Sequence, residues 1–302
     1  MTPNHDTKAG GIKLGVVGGD LRQLVMARSL AEKGYEVALY GLDTYAGEYG
    51  GVTRCCELAS AVRGCRAVIL PLPATRDGER IHCPLTKNEV PIDGLFRLVG
   101  ADRLVLGGRI SEGFRRRAAQ AGIRVIDYYE REELQIANAV PTAEGALAIA
   151  MSEVPYTIRG ARCLVIGYGR IGKTLARLLA AVGASVTVTA RCLADLAWIR
   201  SEGFEAERTE NLAATAPGFD LIFNTVPAPV LSRDVLSLIP SRTLIIDLSS
   251  EPGGVDREYA AESGCRTVFA MSLPGKTAPV TAGHIIEESI LNILEAEGVT
   301  DK

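Results

Sequence analysis

Ala161-Arg-Cys-Leu-Val-Ile166 runs straight into Gly167-Tyr-Gly169-Arg-Ile-Gly172, and a helical pattern through Leu175, Leu178 and Leu179 follows. An apolar strand that ends in G-x-G-x-x-G at the start of a helix is the arrangement that seats the diphosphate of a dinucleotide. The first glycine permits the tight turn, the second lets the backbone approach the ligand, and the third lets the helix pack against the strand. Amides at the helix start then face the anion. Gly167, Gly169, Arg170, Ile171 and Gly172 are therefore predicted to hold a cofactor; the competing reading is a glycine-rich turn with no ligand.

Working outward, the residues after this turn repeat a strand–helix alternation. Strands are expected at Ser185–Thr189, Phe204–Ala206, Leu221–Asn224, Leu244–Asp247 and Thr267–Phe269. With the first strand they make six, the number of a doubly wound Rossmann-like sheet. A second block lies upstream, with strands expected at Lys13–Val17, Glu36–Tyr40, Ala67–Leu70, Arg103–Leu106 and Arg124–Ile126 and helices at Leu21–Lys33 and Ser111–Ala121. The fold class is thus α/β with two Rossmann-like domains, as 302 residues allow. Residues 1–140 are read as a flavodoxin- or Rossmann-like substrate domain and 161–277 as the dinucleotide domain. Residues 141–160 read as a connecting helix and linker, with Thr142 as a plausible N-cap and Glu144 in the first turn. The remainder, 278–302, carries a helix over Ile285–Glu295, placed to cross back to the first domain. The substrate is expected in the cleft between the two domains.

The cofactor's identity turns on the end of the second strand, where NAD sites place a carboxylate against the ribose 2′-hydroxyl. Here Val186-Thr-Val-Thr-Ala190 ends on Arg191, and the next carboxylate is Asp195, inside the following helix. A guanidinium pairs with a 2′-phosphate, so NADP is the expected cofactor and NAD a possible one. The alternative is that Arg191 is a surface residue and the site takes both. Thr225, Val226, Pro227 and Ser249, after the fourth and fifth strands, are expected to complete the site. Upstream, Gly15-Val-Val-Gly18-Gly19-Asp20 is an imperfect glycine turn that lacks the third glycine, since Arg22 stands in its place. Gly19 and Arg22 are read there as donors to a substrate carboxylate.

Composition narrows the field. A net charge of −3 gives no electrostatic reason to expect nucleic acid, and Arg115-Arg116-Arg117 reads as a solvated helix face. The tail Met1 to Gly11 is polar, without the apolar core of a signal peptide, and no apolar run reaches the ~20 residues of a bilayer crossing. Seven cysteines without a C-x-x-C pair argue against a disulfide framework and against a zinc site; no metal is expected and the chain reads as cytoplasmic. A homo-oligomer is the base expectation for such an enzyme.

Several stretches in chain order carry a resemblance: Gly18-Gly-Asp-Leu-Arg-Gln23, Leu70-Pro-Leu-Pro73, Asn138-Ala-Val-Pro-Thr-Ala-Glu-Gly145, Gly167-Tyr-Gly-Arg-Ile-Gly172, Asn224-Thr-Val-Pro227, Asp247-Leu-Ser-Ser250 and Leu273-Pro-Gly-Lys-Thr-Ala-Pro279. Together they resemble the A subunits of dipicolinate synthase from spore-forming bacteria. The resemblance implies NAD(P)-dependent oxidation of a dihydrodipicolinate-like dicarboxylate during sporulation, with a separate flavoprotein-like B subunit as partner. For that chemistry Arg22 and Lys276 are candidates to meet the two carboxylates, and Thr142 to touch substrate. Glu144 is the candidate base and Lys276 a second catalytic candidate. Thr142 and Glu144 read equally as a helix cap and a first-turn carboxylate, and Lys276 as a solvated lysine in a turn-rich loop. A 2-hydroxyacid dehydrogenase is the rival enzyme, but the arginine after the fifth strand and the glutamate–histidine pair of that family are missing. A non-catalytic NADP-binding protein that senses cofactor or supports its flavoprotein partner is the rival of another class.

Overall fold

The structure is a computed structural model that describes residues 11–101 and 103–299; residues 1–10, which carry most of the tail reading, lie outside them. The chain divides into two compact units. One is Asn138–Ala278, and the other joins the segment that ends at Ala137 to the one that begins at Pro279.

The first unit holds β1 (Lys13–Val17), β2 (Glu36–Tyr40), β3 (Thr53–Arg54), β4 (Ala67–Ile69), β5 (Leu104–Gly107) and β6 (Arg124–Asp127), all parallel, in the order β3-β2-β1-β4-β5-β6. Its central strands are buried on both faces, as parallel strands under helices must be: β1 places Leu14 and Val16 in one cluster and Val17 in another. The flavodoxin-like alternative is set aside by one small element. Without β3 the order would be that of flavodoxin; with it, the sheet has the full Rossmann order. The pattern reading misses β3 because it is two residues long and both side chains are exposed.

The second unit repeats the plan with β7 (Arg162–Ile166), β8 (Ser185–Ala190), β9 (Glu205–Arg208), β10 (Leu221–Asn224), β11 (Leu244–Asp247) and β12 (Thr267–Phe269), ordered β12-β11-β10-β7-β8-β9 and again parallel. β9 begins one residue after the expected Phe204. As the sheet edge it carries Glu205, Glu207 and Arg208, charges that discourage pairing with another chain.

Two expectations are corrected. The helix near Thr142 does not start there: it runs Glu132–Glu153 with Pro141 inside it. Thr142 is no cap, because its hydroxyl donates to the Asn138 carbonyl one turn back (2.8 Å), and Glu144 lies mid-helix. Good helix formers upstream, Glu132 to Ala139, outweigh the proline's missing donor. Lys276 lies in a short helix, Leu273–Thr277, and not in an open loop; Thr277 ties it by donating to Leu273 O (2.9 Å). The closing helix is longer than expected, Pro279–Ala296, and packs on the helix Leu21–Glu32 of the first unit. Ile286, Ile290, Leu291, Ile293 and Leu294 are part of that unit's core.

Candidate functional site

The turn after β7 is built by exclusion. Gly167 has φ +98°, which an L side chain rarely adopts, and a Cβ there would lie 2.6 Å from Thr225 Oγ1 and 2.8 Å from Val226 Cγ2. A Cβ on Gly172 would stand 2.1 Å from the Gly167 carbonyl oxygen, so the helix Arg170–Ala181 meets the turn only because that position is bare. Gly169 differs: nothing lies within 4 Å of where its Cβ would be. It is the N-cap of the helix, and no side chain accepts the first amides. An open space in front of a helix start that has no side-chain cap is a place for an anion supplied from outside.

The equivalent turn of the first unit is already occupied. Asp20 caps the helix Leu21–Glu32 and accepts from Arg22 N (3.0 Å), while Gln23 Oε1 accepts from Asp20 N (3.1 Å). Gly18 N donates to Tyr40 O and Gly19 N to His82 O. Arg22 is buried; its Nε and Nη2 grip the Asp20 carboxylate at 2.9 Å each, and Nη2 also donates to Leu72 O (2.6 Å). The reading of Gly19 and Arg22 as donors to a substrate carboxylate is corrected on this point. A carboxylate of the chain itself, Asp20, has taken that place.

Around the open turn the other predicted cofactor residues gather at the C-terminal ends of β7, β8, β10 and β11. Gly167 N donates to Thr189 O, and Thr225 donates to Ile166 O through both its amide and its hydroxyl (3.0 and 2.8 Å). Ile171 packs against the core. Arg170 and Pro227 are exposed. Ser249 is buried and its hydroxyl donates to Asp247 Oδ1 (2.7 Å), so it shapes the loop and does not face outward. Arg191 follows the last residue of β8, exposed, with no hydrogen-bond or ion-pair partner among the described residues. Cys192 caps the next helix, its Sγ accepting from Asp195 N (3.3 Å). In the neighbouring strand Arg208 stands in register with Ala190.

Two residues quoted with the loops after the fourth and fifth strands, but given no role of their own by the sequence, organise this edge. Asn224 and Asp247 are register partners at the ends of β10 and β11, and Asn224 Nδ2 donates to Asp247 Oδ1 (2.8 Å). Asn224 also bonds both backbone groups of Val226, at 3.1 Å each. Two polar residues closing adjacent apolar strands were the available signal.

The catalytic candidates of this unit lie on two elements that touch. Gly145 packs on the helix Leu273–Thr277: its Cβ would sit 3.1 Å from Thr277 Oγ1 and 3.2 Å from Leu273 Cβ. That brings together the segments bearing Thr142, Glu144 and Lys276. Glu144 and Lys276 are exposed, without an ion-pair partner among the described residues. Among those residues no group of three His, Cys, Asp or Glu is placed to hold a metal, and no helix is long and apolar enough to cross a membrane.

Comparison with known proteins agrees with the geometry. Residues 13–129 match the family model of the N-terminal domain of dipicolinate synthase A subunits, and 154–254 match one described as "Putative NAD(P)-binding". The chain is 36% identical over 287 residues to the dipicolinate synthase A subunit of Bacillus subtilis, spanning 94% of this chain and 96% of that one. The solved A subunit of Bacillus halodurans superposes with a TM-score of 0.87 at 31% identity, covering 95% and 98% of the two chains. That of Bacillus subtilis gives 0.84 at 35%, over 96% and 98%. A transhydrogenase from Sinorhizobium meliloti, 14% identical with a TM-score of 0.71, covering 95% and 94%, shares the fold. With two Rossmann-ordered sheets, an open glycine turn in the second, and relatives matched from end to end, the chain belongs to the family of dipicolinate synthase A subunits.

Proposed function

We propose that this protein oxidises a dihydrodipicolinate-like dicarboxylate with NADP, as the A subunit of dipicolinate synthase during sporulation in the cytoplasm, beside a flavoprotein-like B subunit. The observation that carries the reading is the contrast between the two glycine turns: the helix start at Gly169 has no side-chain cap, and Arg191, which has no partner among the described residues, follows the next strand. In the proposal the amides of Arg170, Ile171 and Gly172 receive the diphosphate. Thr225, Val226 and Pro227 wall the nucleotide, and the guanidinium of Arg191 pairs with the 2′-phosphate. Ser249 keeps the loop after β11 in place through Asp247.

Bound NADP supplies the hydride acceptor. Loss of one hydride and one proton from the dihydropyridine ring breaks two bonds to hydrogen and leaves the aromatic dicarboxylate, NADPH and H⁺. The chain's part is to orient the ring and take the proton. We assign the proton to Glu144 and a substrate carboxylate to Lys276, with Thr142 holding the helix between them.

Purified protein given NADP and freshly prepared dihydrodipicolinate should generate NADPH without the B subunit. Tight NADPH binding with no turnover would instead favour a non-catalytic role. Arg191→Ala should cost NADPH binding about 1.5–3 kcal/mol, the range of a hydrogen bond to a charged group, and leave NADH nearly untouched. Equal weakening of both cofactors would remove Arg191 from the site.

A further inference from the structure

The first unit has a cavity of its own, of about 310 Å³, on the loop between β4 and the helix Ile92–Val99. This loop, 70–91, is longer than the roughly 12–15 residues that a plain connection uses. It is nevertheless firmly held. Ala74 N donates to Gly108 O (2.7 Å), His82 N to Ala74 O (2.9 Å), Ile81 N to Val90 O (2.9 Å), and Gly19 N to His82 O (2.9 Å). These bonds set the cavity at the C-terminal ends of β1, β4 and β5. The boundary between β1 and β4 is where the winding of the sheet reverses, the usual ligand position in such sheets.

The charges around it are unequal in their commitments. Arg80 lies between Asp77 and Glu89 and bonds both. Arg76 and Lys87 also line the cavity, are exposed, and have no acidic or hydrogen-bond partner among the described residues. His82, half-buried, and Asn88 add donors and acceptors to the same wall. The nearby helix start cannot draw in a phosphate, because Asp20 already caps it. What remains is an open, loop-lined depression with two cations that have no partner among the described residues.

We infer that this pocket binds a small planar dicarboxylate, with Arg76 and Lys87 supplying the opposing charge and His82 lying beside it. The inference rests on the proposed reaction for the choice of dicarboxylate; the position of the pocket does not. It replaces the Gly19–Arg22 turn as the carboxylate site of the first unit.

Calorimetry with dipicolinate on the full chain tests it. Arg76→Ala and Lys87→Ala should each weaken dipicolinate about tenfold or more, in line with loss of a charge-assisted bond, while NADPH affinity stays unchanged. Unchanged dipicolinate affinity in both variants overturns the inference, and so does a wild-type chain that does not bind it. Inorganic phosphate competing as well as dipicolinate overturns it too, since the pocket would then be a general anion site. If both variants lose dipicolinate as expected but the wild-type chain makes no NADPH from the dihydro compound, the pocket stands and the oxidoreductase reading falls. Turnover of the dihydro compound by a chain whose dipicolinate affinity ignores both substitutions does the reverse.

Discussion

Adding a single methyl group at Gly169 and at Gly172 should have opposite consequences. At Gly172 the new carbon meets a backbone oxygen that cannot yield, so Gly172→Ala should lose about 1–3 kcal/mol in chemical denaturation, the range for overpacking. At Gly169 it meets nothing, so Gly169→Ala should stay within about 0.5 kcal/mol of the wild type in stability. Its damage should appear in calorimetry with NADPH, because the methyl group occupies the diphosphate's approach.

His82 is the residue through which pH enters. Burial, then the charge of Arg76, hold its imidazole below the ordinary histidine value; Arg22 adds to this, and Asp20 opposes it. A bound dicarboxylate favours the imidazolium, so the pKa rises in the complex and binding takes up a proton. Affinity for dipicolinate should therefore increase as pH falls through and below about 6.5, and His82→Gln should flatten that dependence in a pH series of titrations. The thiols give a third contrast. Burial pushes Cys83 and Cys163 up to about 12, so both should resist alkylation in the native chain. Cys56 and Cys192 are exposed and should react, and NADPH should shield Cys192, the neighbour of Arg191, in a mass-spectrometric footprint.

At the scale of elements, what was readable followed burial. Strands such as Leu221–Asn224 and Leu244–Asp247 are covered on both faces and write themselves as unbroken apolar runs, so their limits were found. The edge strand Thr53–Arg54 buries nothing and left no such trace. The glycine turn was legible because each glycine answers a local collision. The cavity loop was not, since Arg76, His82 and Lys87 come together through backbone bonds between distant strand ends and share no period. The helix start misled for a different reason: Thr142 and Glu144 read as a cap and a first-turn carboxylate, but the helix is already running and Pro141 interrupts it. Pro141→Ala restores a donor to the fourth residue back and should raise stability by about 1–2 kcal/mol in a denaturant melt, within the range of proline's helix penalty less its effect on the unfolded chain. Gly283 marks the opposite limit. A Cβ there would stand 2.7 Å from Val25 Cβ and 2.8 Å from Arg22 O, so a bulky side chain should prise the closing helix off its seat.

Across the whole molecule, each unit keeps hydrophobic clusters of its own on the two faces of its sheet. In the second unit one collects around β7, β8 and β10, and in the first one gathers around β1, β2 and β4 with the closing helix. A ligand that binds only the folded second unit should raise the melting of that unit, by about 2.7 kcal/mol at a hundred times its Kd, and hydrogen exchange would localise the gain to Asn138–Ala278. Dipicolinate should protect the amides around His82 instead.

The closing helix has a further consequence for how the protein comes into being. A ribosome finishes every strand of the first sheet well before it reaches Pro279, yet the helix that packs on Leu21–Glu32 and completes that unit's core is translated last of the described helices. The middle of the polypeptide can settle while the beginning waits. Of the two halves, the one made first matures second, and a nascent chain stalled near Ala278 should expose the bare flank of its opening half to chaperones.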